Sequence, residues 1–163
     1  MKHAGPDTVP SLLLYCDRLL ENNDVSRAVE TWNLLATKRL LDYPELAPSQ
    51  GASLTNGTFA KEFLSRTFDW RVSTPAEIFY RRDVSPPGLR FDFTGKQPEH
   101  CELLSQFVPL EPAREYRVVV SYETHTPADA RLVKLVLAYD RVLGTVRIEG
   151  SLSLESAVLG FGQ

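Results

Sequence analysis

The segment "LDYPELAPSQGAS", residues 41 to 53, divides the chain into two halves whose apolar residues recur with different periods. Pro44, Pro48 and Gly51 bar regular structure across it. Ahead of it, apolar residues recur every three or four positions, the period of a helix face. Beyond it they alternate, the period of a pleated strand. A pattern of one period cannot sustain the other structure, so the sequence predicts a helical hairpin over residues 1–44, a linker over 45–52 and a β domain over 53–163.

In the first half, Leu12, Tyr15, Cys16, Leu19 and Leu20 line one side of a first helix. "ENND" interrupts it, and Asp24 is placed to cap a second helix, where Ala28, Val29, Trp32, Leu35 and Ala36 repeat the spacing. Ala28 is small enough for two helices to approach closely there, and Trp32 fills the space one turn later. In the second half, Phe68-Trp70-Val72, Leu89-Phe91-Phe93 and Val118-Val120-Tyr122 alternate with polar residues. "EIFYRR", "CELLSQFV", "RLVKLVLAYD", "TVRIEG" and "LSLESAVL" are further strand candidates, punctuated by Pro, Gly, Asn and Asp. Many short strands with few crossover helices predict a mainly β protein, an antiparallel β-sandwich of jelly-roll type, behind the helical hairpin.

Size and charge bound the function. The chain has 163 residues, 43% hydrophobic and 24% charged, which suits folded domains rather than disorder. A formal net charge of −3 gives no reason to expect nucleic acid or an anionic membrane as partner. No apolar run approaches the ~18 residues needed to span a bilayer. "SLLLYC" is too short for the apolar core of a signal peptide, and Tyr15 stands where a small residue would precede a processed cysteine. Cys16 falls in a helical pattern and Cys101 in a strand-like one, so two separate buried thiols are expected. Neither has a Cys-x-x-Cys partner to suggest a metal.

Two resemblances refine this. Leu12, Tyr15-Cys16 and Leu19, followed by Ala28, Trp32 and Leu35, resemble a single tetratricopeptide repeat, with Cys16 at the signature glycine and Leu40 at the closing proline. A single repeat must cover its apolar face by docking on its own chain, capping a longer array or meeting a protein partner. "SLTNGTF", "FDWRV", "GLRFDFTG", "REYRVVVSYET" and "RIEGSLSLESAVL" run in the order of galactose-binding-like jelly rolls, including carbohydrate-binding modules that begin Asn-Gly-x-Phe. There Asn56-Gly57 forms the first turn, Phe59 plugs the core, and "GLRFDF" is the strand after a Pro-Gly turn. The combination resembles the tail of bacterial tetratricopeptide-repeat proteins of the cell envelope and polysaccharide export, which implies an envelope or periplasmic location. "THTPADA", residues 124 to 130, leads directly into "RLVKLVLAYD", where the family has another strand or two. A sheet short of those members has an open edge through which copies could pair.

The resemblance implies a non-catalytic module that stacks an aromatic ring on a pyranose while polar groups bond its hydroxyls. Candidate contacts are Trp70, Tyr80, Arg81, Arg82 and Tyr122. Trp70 is flanked by Asp69 and Arg71, although its alternation with Phe68 and Val72 aligns it with the core. Phe79 and Tyr80 are adjacent, so a strand turns one of them outward. The family's structural calcium would fall near Asn56 and Glu155, but "SLSLESAVL" has one carboxylate where two are usual, and no metal or other cofactor is assigned. His3, His100 and His125 belong to no catalytic motif, and there is no Gly-x-Ser-x-Gly, phosphate loop or His-Glu-x-x-His. Two functions remain open: polysaccharide recognition, and protein–protein assembly with the sandwich as a spacer.

Overall fold

The computed structural model describes residues 5–98 and 101–111, together with four two-residue strands beyond them. The chain divides into two compact units, Met1–Glu111 and Pro112–Gln163. The first opens with the helical hairpin, α1 (Val9–Glu21) and α2 (Val25–Thr37). Proline in the first turn suits the start of α1, because the amide it lacks would have no helical partner. Asp24 caps α2, accepting from the Arg27 amide at 3.3 Å.

Both helices stop in the same way. Asn23 turns left-handed (φ 58°), which lets the Asp24 amide donate to Leu19 O at 2.8 Å and the Asn23 amide to Leu20 O at 3.0 Å. Arg39 does likewise (φ 55°), with Leu40 donating to Leu35 O at 2.9 Å and Arg39 to Ala36 O at 2.8 Å. These crossed bonds satisfy carbonyls that a helix end leaves bare.

The helices meet where the small residue is. Cys16 and Ala28 are both fully buried, and the Cys16 thiol donates to Ala28 O at 3.4 Å. Leu13, Cys16, Leu19, Leu20, Ala28, Trp32 and Leu35 form one core with Leu41, Leu46 and Phe68. The hairpin thus covers its apolar face with its own chain. Trp32 is the centre, packed edge-on against Tyr43 (5.3 Å between centroids) and Phe68 (5.8 Å), with its indole N–H donating to Pro44 O at 3.1 Å. Residues 45–52 are held as well. The Asn33 side chain donates to Leu46 O and accepts from Leu46 N, each at 2.7 Å. Ala47 and Ala52 bridge across a 3₁₀ turn, Pro48–Gln50, closed by Gly51 at φ 84°.

The stretch from Ser53 to Trp70 differs from the strand expected at Phe68-Trp70-Val72. Asn56, Phe59, Ser65 and Thr67 all adopt positive φ (46°, 58°, 56° and 50°), which no pleated strand allows. Thr67, Phe68 and Asp69 are consecutive and all buried, so alternation fails there. The segment is a folded loop, and only Arg71–Val72 (β1) is extended. Asn56-Gly57 does form a turn, with Phe59 N donating to Asn56 O at 2.9 Å. Phe59 is not a core plug: it is half-buried in a side cluster with Phe63 (6.2 Å) and Trp70 (5.4 Å).

Beyond it, β2 (Ile78–Val84) and β3 (Pro87–Phe93) form an antiparallel hairpin. Its turn is Ser85-Pro86, joined by a cis peptide, so Pro87-Gly88 lies inside β3 and not in the expected Pro-Gly turn. Of "CELLSQFV" only Leu104–Ser105 (β4) is extended, pairing with β1. Cys101 lies outside that strand, exposed and free, which overturns its expected burial. In the second unit, β5 (Val119–Val120) pairs antiparallel with β8 (Ala157–Val158), and β6 (Val136–Leu137) with β7 (Val146–Arg147). The protein therefore joins a helical hairpin to antiparallel strands.

Candidate functional site

Two polar assemblies stand out among the described residues, one inside and one on a sheet surface. In the interior, Asp69 is fully buried. Its Oδ2 accepts from the Leu64 amide at 2.6 Å and lies 2.9 Å from the Tyr43 hydroxyl, which is also 2.8 Å from Glu62 O. Burial, then the Asp69 hydrogen bond and charge, push the Tyr43 phenol above its ordinary range, so it keeps its proton. On α1, Asp17 accepts from the Thr67 amide at 2.7 Å and faces Arg66 at 3.5 Å and Arg71 at 3.7 Å. Arg71 donates to Thr67 O at 3.0 Å, and its guanidinium lies 4.8 Å from the Phe107 ring centroid. Burial lowers its pKa, opposed by Asp17 and Asp69.

Apart from the Tyr43–Asp69 bond, these groups spend their hydrogen bonds on backbone, and Asp17 and Arg71 hold the left-handed Thr67 in place. Their role is to fasten the loop to α1. Cys16 offers no nucleophile either: burial, then the Asp17 charge, raise its thiol to about 12.

The surface assembly is built by the register of the β2–β3 hairpin. Directly paired residues share a face, and consecutive residues switch faces. Ile78/Phe93, Tyr80/Phe91, Arg82/Leu89 and Val84/Pro87 form an apolar face interrupted only by Arg82. Only Ile78 of it is buried: Tyr80 is 49% exposed, Phe93 50% and Val84 71%. The opposite face carries Phe79/Asp92, Arg81/Arg90 and Asp83/Gly88. There Phe79 is 61% exposed, an aromatic ring presented to solvent. Arg81 and Arg90 oppose each other, an unfavourable like-charge pair unless an anion intervenes. Asp83 intervenes, with Oδ1 3.1 Å from Arg81 Nε and Oδ2 3.9 Å from Arg90 Nε.

The sequence-predicted contacts are distributed as follows. Tyr80 and Arg82 share the apolar face, while Arg81 lies on the Phe79 face. Arg82 donates to Ala60 O at 2.8 Å and lies 3.9 Å from Glu62, so it ties the hairpin to the 53–70 loop. Trp70 is half-buried beside Phe59, and its indole N–H donates to Asn56 O at 3.0 Å. Both ends of the Asn56 amide are bonded to Lys61 backbone at 3.0 Å. Tyr122, Glu155, His3, His100 and His125 lie outside the described residues. Asp83 and Asp92 join the face without having been singled out by the sequence. The signal that could find them is the two-residue turn at Ser85-Pro86, from which the pairing of 79 with 92 follows by counting.

A shallow groove lined by Tyr15, Arg27, Glu30, Thr31 and Leu34 opens on the helical hairpin. No cluster of three or more metal-ligating side chains occurs among the described residues. No helix among them is long and apolar enough to cross a membrane.

No protein-family model matches this chain, and neither a curated protein nor a solved structure does.

Proposed function

We propose that the chain is a non-catalytic binding module for a cell-envelope or exported polysaccharide, and that the sugar chain lies on the Phe79 face of the β2–β3 hairpin. The observation that carries this reading is one exposed aromatic ring on a sheet face whose other side chains are two arginines and two aspartates. A pyranose has an apolar side of C–H groups and a rim of hydroxyls. Phe79 offers the first a platform, and Arg81, Arg90, Asp83 and Asp92 offer the second donors and acceptors. The opposite, apolar face is of the kind a second layer covers, which supports a jelly-roll sandwich of the galactose-binding-like type behind a tetratricopeptide-like hairpin. The test is affinity electrophoresis of the purified protein in gels cast with soluble polysaccharides. The wild type is expected to be retarded by at least one of them and Phe79→Ala to be retarded clearly less. Equal retardation of both proteins rejects the Phe79 face.

A second reading, protein–protein assembly, is favoured by Tyr80, Val84 and Phe93, which stand half-exposed or more on the apolar face. In that reading a protein partner or a second copy covers the face, or a partner occupies the hairpin groove. Light scattering across a concentration series is then expected to show association that Val84→Lys abolishes. A monomer at every concentration removes self-association.

A further inference from the structure

We infer that the Phe79 face selects uncharged polysaccharide over chains bearing uronate carboxylates. This rests on the polysaccharide reading above and narrows it to a ligand class. Along β2 the face runs Phe79, Arg81, Asp83, and along β3 it runs Gly88, Arg90, Asp92. Each arginine therefore has an aspartate two positions along its own strand, where the backbone rise separates the Cα atoms by about 7 Å.

Two guanidiniums and two carboxylates leave the face without net charge. An arriving uronate would find the gap between Arg81 and Arg90 already held by Asp83 at 3.1 and 3.9 Å. It would also meet Asp92 directly across from the ring on which its sugar must stack. With no surplus positive charge, nothing offsets the cost of stripping water from its carboxylate. A neutral sugar meets no such penalty. A hydroxyl both donates and accepts, so vicinal hydroxyls can donate to Asp83 or Asp92 and accept from the neighbouring guanidinium. Among the described residues the terminal nitrogens of Arg81 and Arg90 make no hydrogen bond and are available to give one. The overall formal charge of −3 acts in the same direction, repelling a polyanion.

The experiment is affinity electrophoresis of the whole chain in dextran, galactomannan, polygalacturonate and alginate. It is repeated from about 0.01 to about 1 M salt, over which the screening length falls from about 30 to about 3 Å. The expected result is retardation by a neutral polymer, unchanged by salt. Phe79→Ala should weaken it by about tenfold, the scale of one lost aromatic contact. Asp92→Asn keeps the stacking ring but removes a charge, and should admit the acidic polymers. Circular dichroism of each variant checks that the fold is intact, since both side chains are exposed. Retardation only by the acidic polymers, relieved by salt, overturns the selection for uncharged chains while leaving polysaccharide binding in place. Retardation by none of the four overturns the polysaccharide reading and this inference with it.

Discussion

Replacing Asn33 by alanine tests whether the helical hairpin is docked on its own chain. Asn33 lies on α2, and its amide makes two bonds of 2.7 Å to the backbone of Leu46, a buried residue beyond the helix. It does for Leu46 what a neighbouring strand would do. Alanine removes both partners at once and leaves one N–H and one C=O unpaired at the edge of the core. Each such group costs about 1–3 kcal/mol when no water replaces the partner. Asn33 itself is half-buried, so water reaches part of the gap, and the loss lies at the lower end, about 2–4 kcal/mol. Alanine's better helix propensity returns at most about 0.7 kcal/mol. The net expectation is a destabilisation of about 1–3 kcal/mol, a sizeable share of a domain's typical ~5–15 kcal/mol. Urea denaturation followed by circular dichroism reads this as a lower midpoint at unchanged slope. Hydrogen exchange at the Leu46 amide gives a local readout and should lose protection. Asn33→Asp keeps the acceptor for Leu46 N but sets an oxygen against Leu46 O, so it should do no better than alanine. A loss below about 0.5 kcal/mol with Leu46 still protected would refute the reasoning, because α2 would then not be what holds residues 45–47.

Two further outcomes follow from single groups. Arg39 is exposed and left-handed at the end of α2. That conformation costs an L-residue about 1–2 kcal/mol and glycine nothing, so Arg39→Gly should raise stability by about 0.5–1 kcal/mol after glycine's larger entropy loss. A lower melting temperature would show that the arginine side chain makes up the difference. In a thiol titration of the native protein, exposed Cys101 should react at once and Cys16 only on unfolding. The fold favours the protonated Cys16 thiol, raised from 9.0 to about 12. Its contribution is complete below about pH 9 and is lost as pH climbs toward 12, at up to ~1.4 kcal/mol per pH unit. Rapid reaction of both thiols in the native state would contradict that burial.

The helices could be read from sequence because their signals are local. Leu12 to Leu20 and Ala28 to Ala36 mark two faces, Asp24 marks a start, and a small residue marks the contact. The β2–β3 hairpin was visible for the same reason, in "EIFYRR" and in Leu89-Phe91-Phe93. The region around Phe68 misled because Phe, Trp and Val at alternate positions imitate a strand, while the chain there follows partners far away in sequence. Thr67 is held left-handed by Asp17, 50 residues earlier, and Thr55 and Phe68 are held by the Gln106 side chain.

The candidate site divides along the same line. An outward aromatic near residue 80 and a flanking arginine are legible, since a strand must turn one of two adjacent rings to solvent. Which ring stands among charges is decided by register: pairing Phe79 with Asp92 and Arg81 with Arg90 requires a turn at Ser85-Pro86 rather than at the more obvious Pro-Gly. Periodicity along a chain is set by backbone geometry and needs no neighbour, so the sequence alone determined that helices come first and alternating strands follow. Pairing, burial of a charge such as Asp69 and the choice of a left-handed residue depend on partners brought together only by folding, and these the tertiary structure decided.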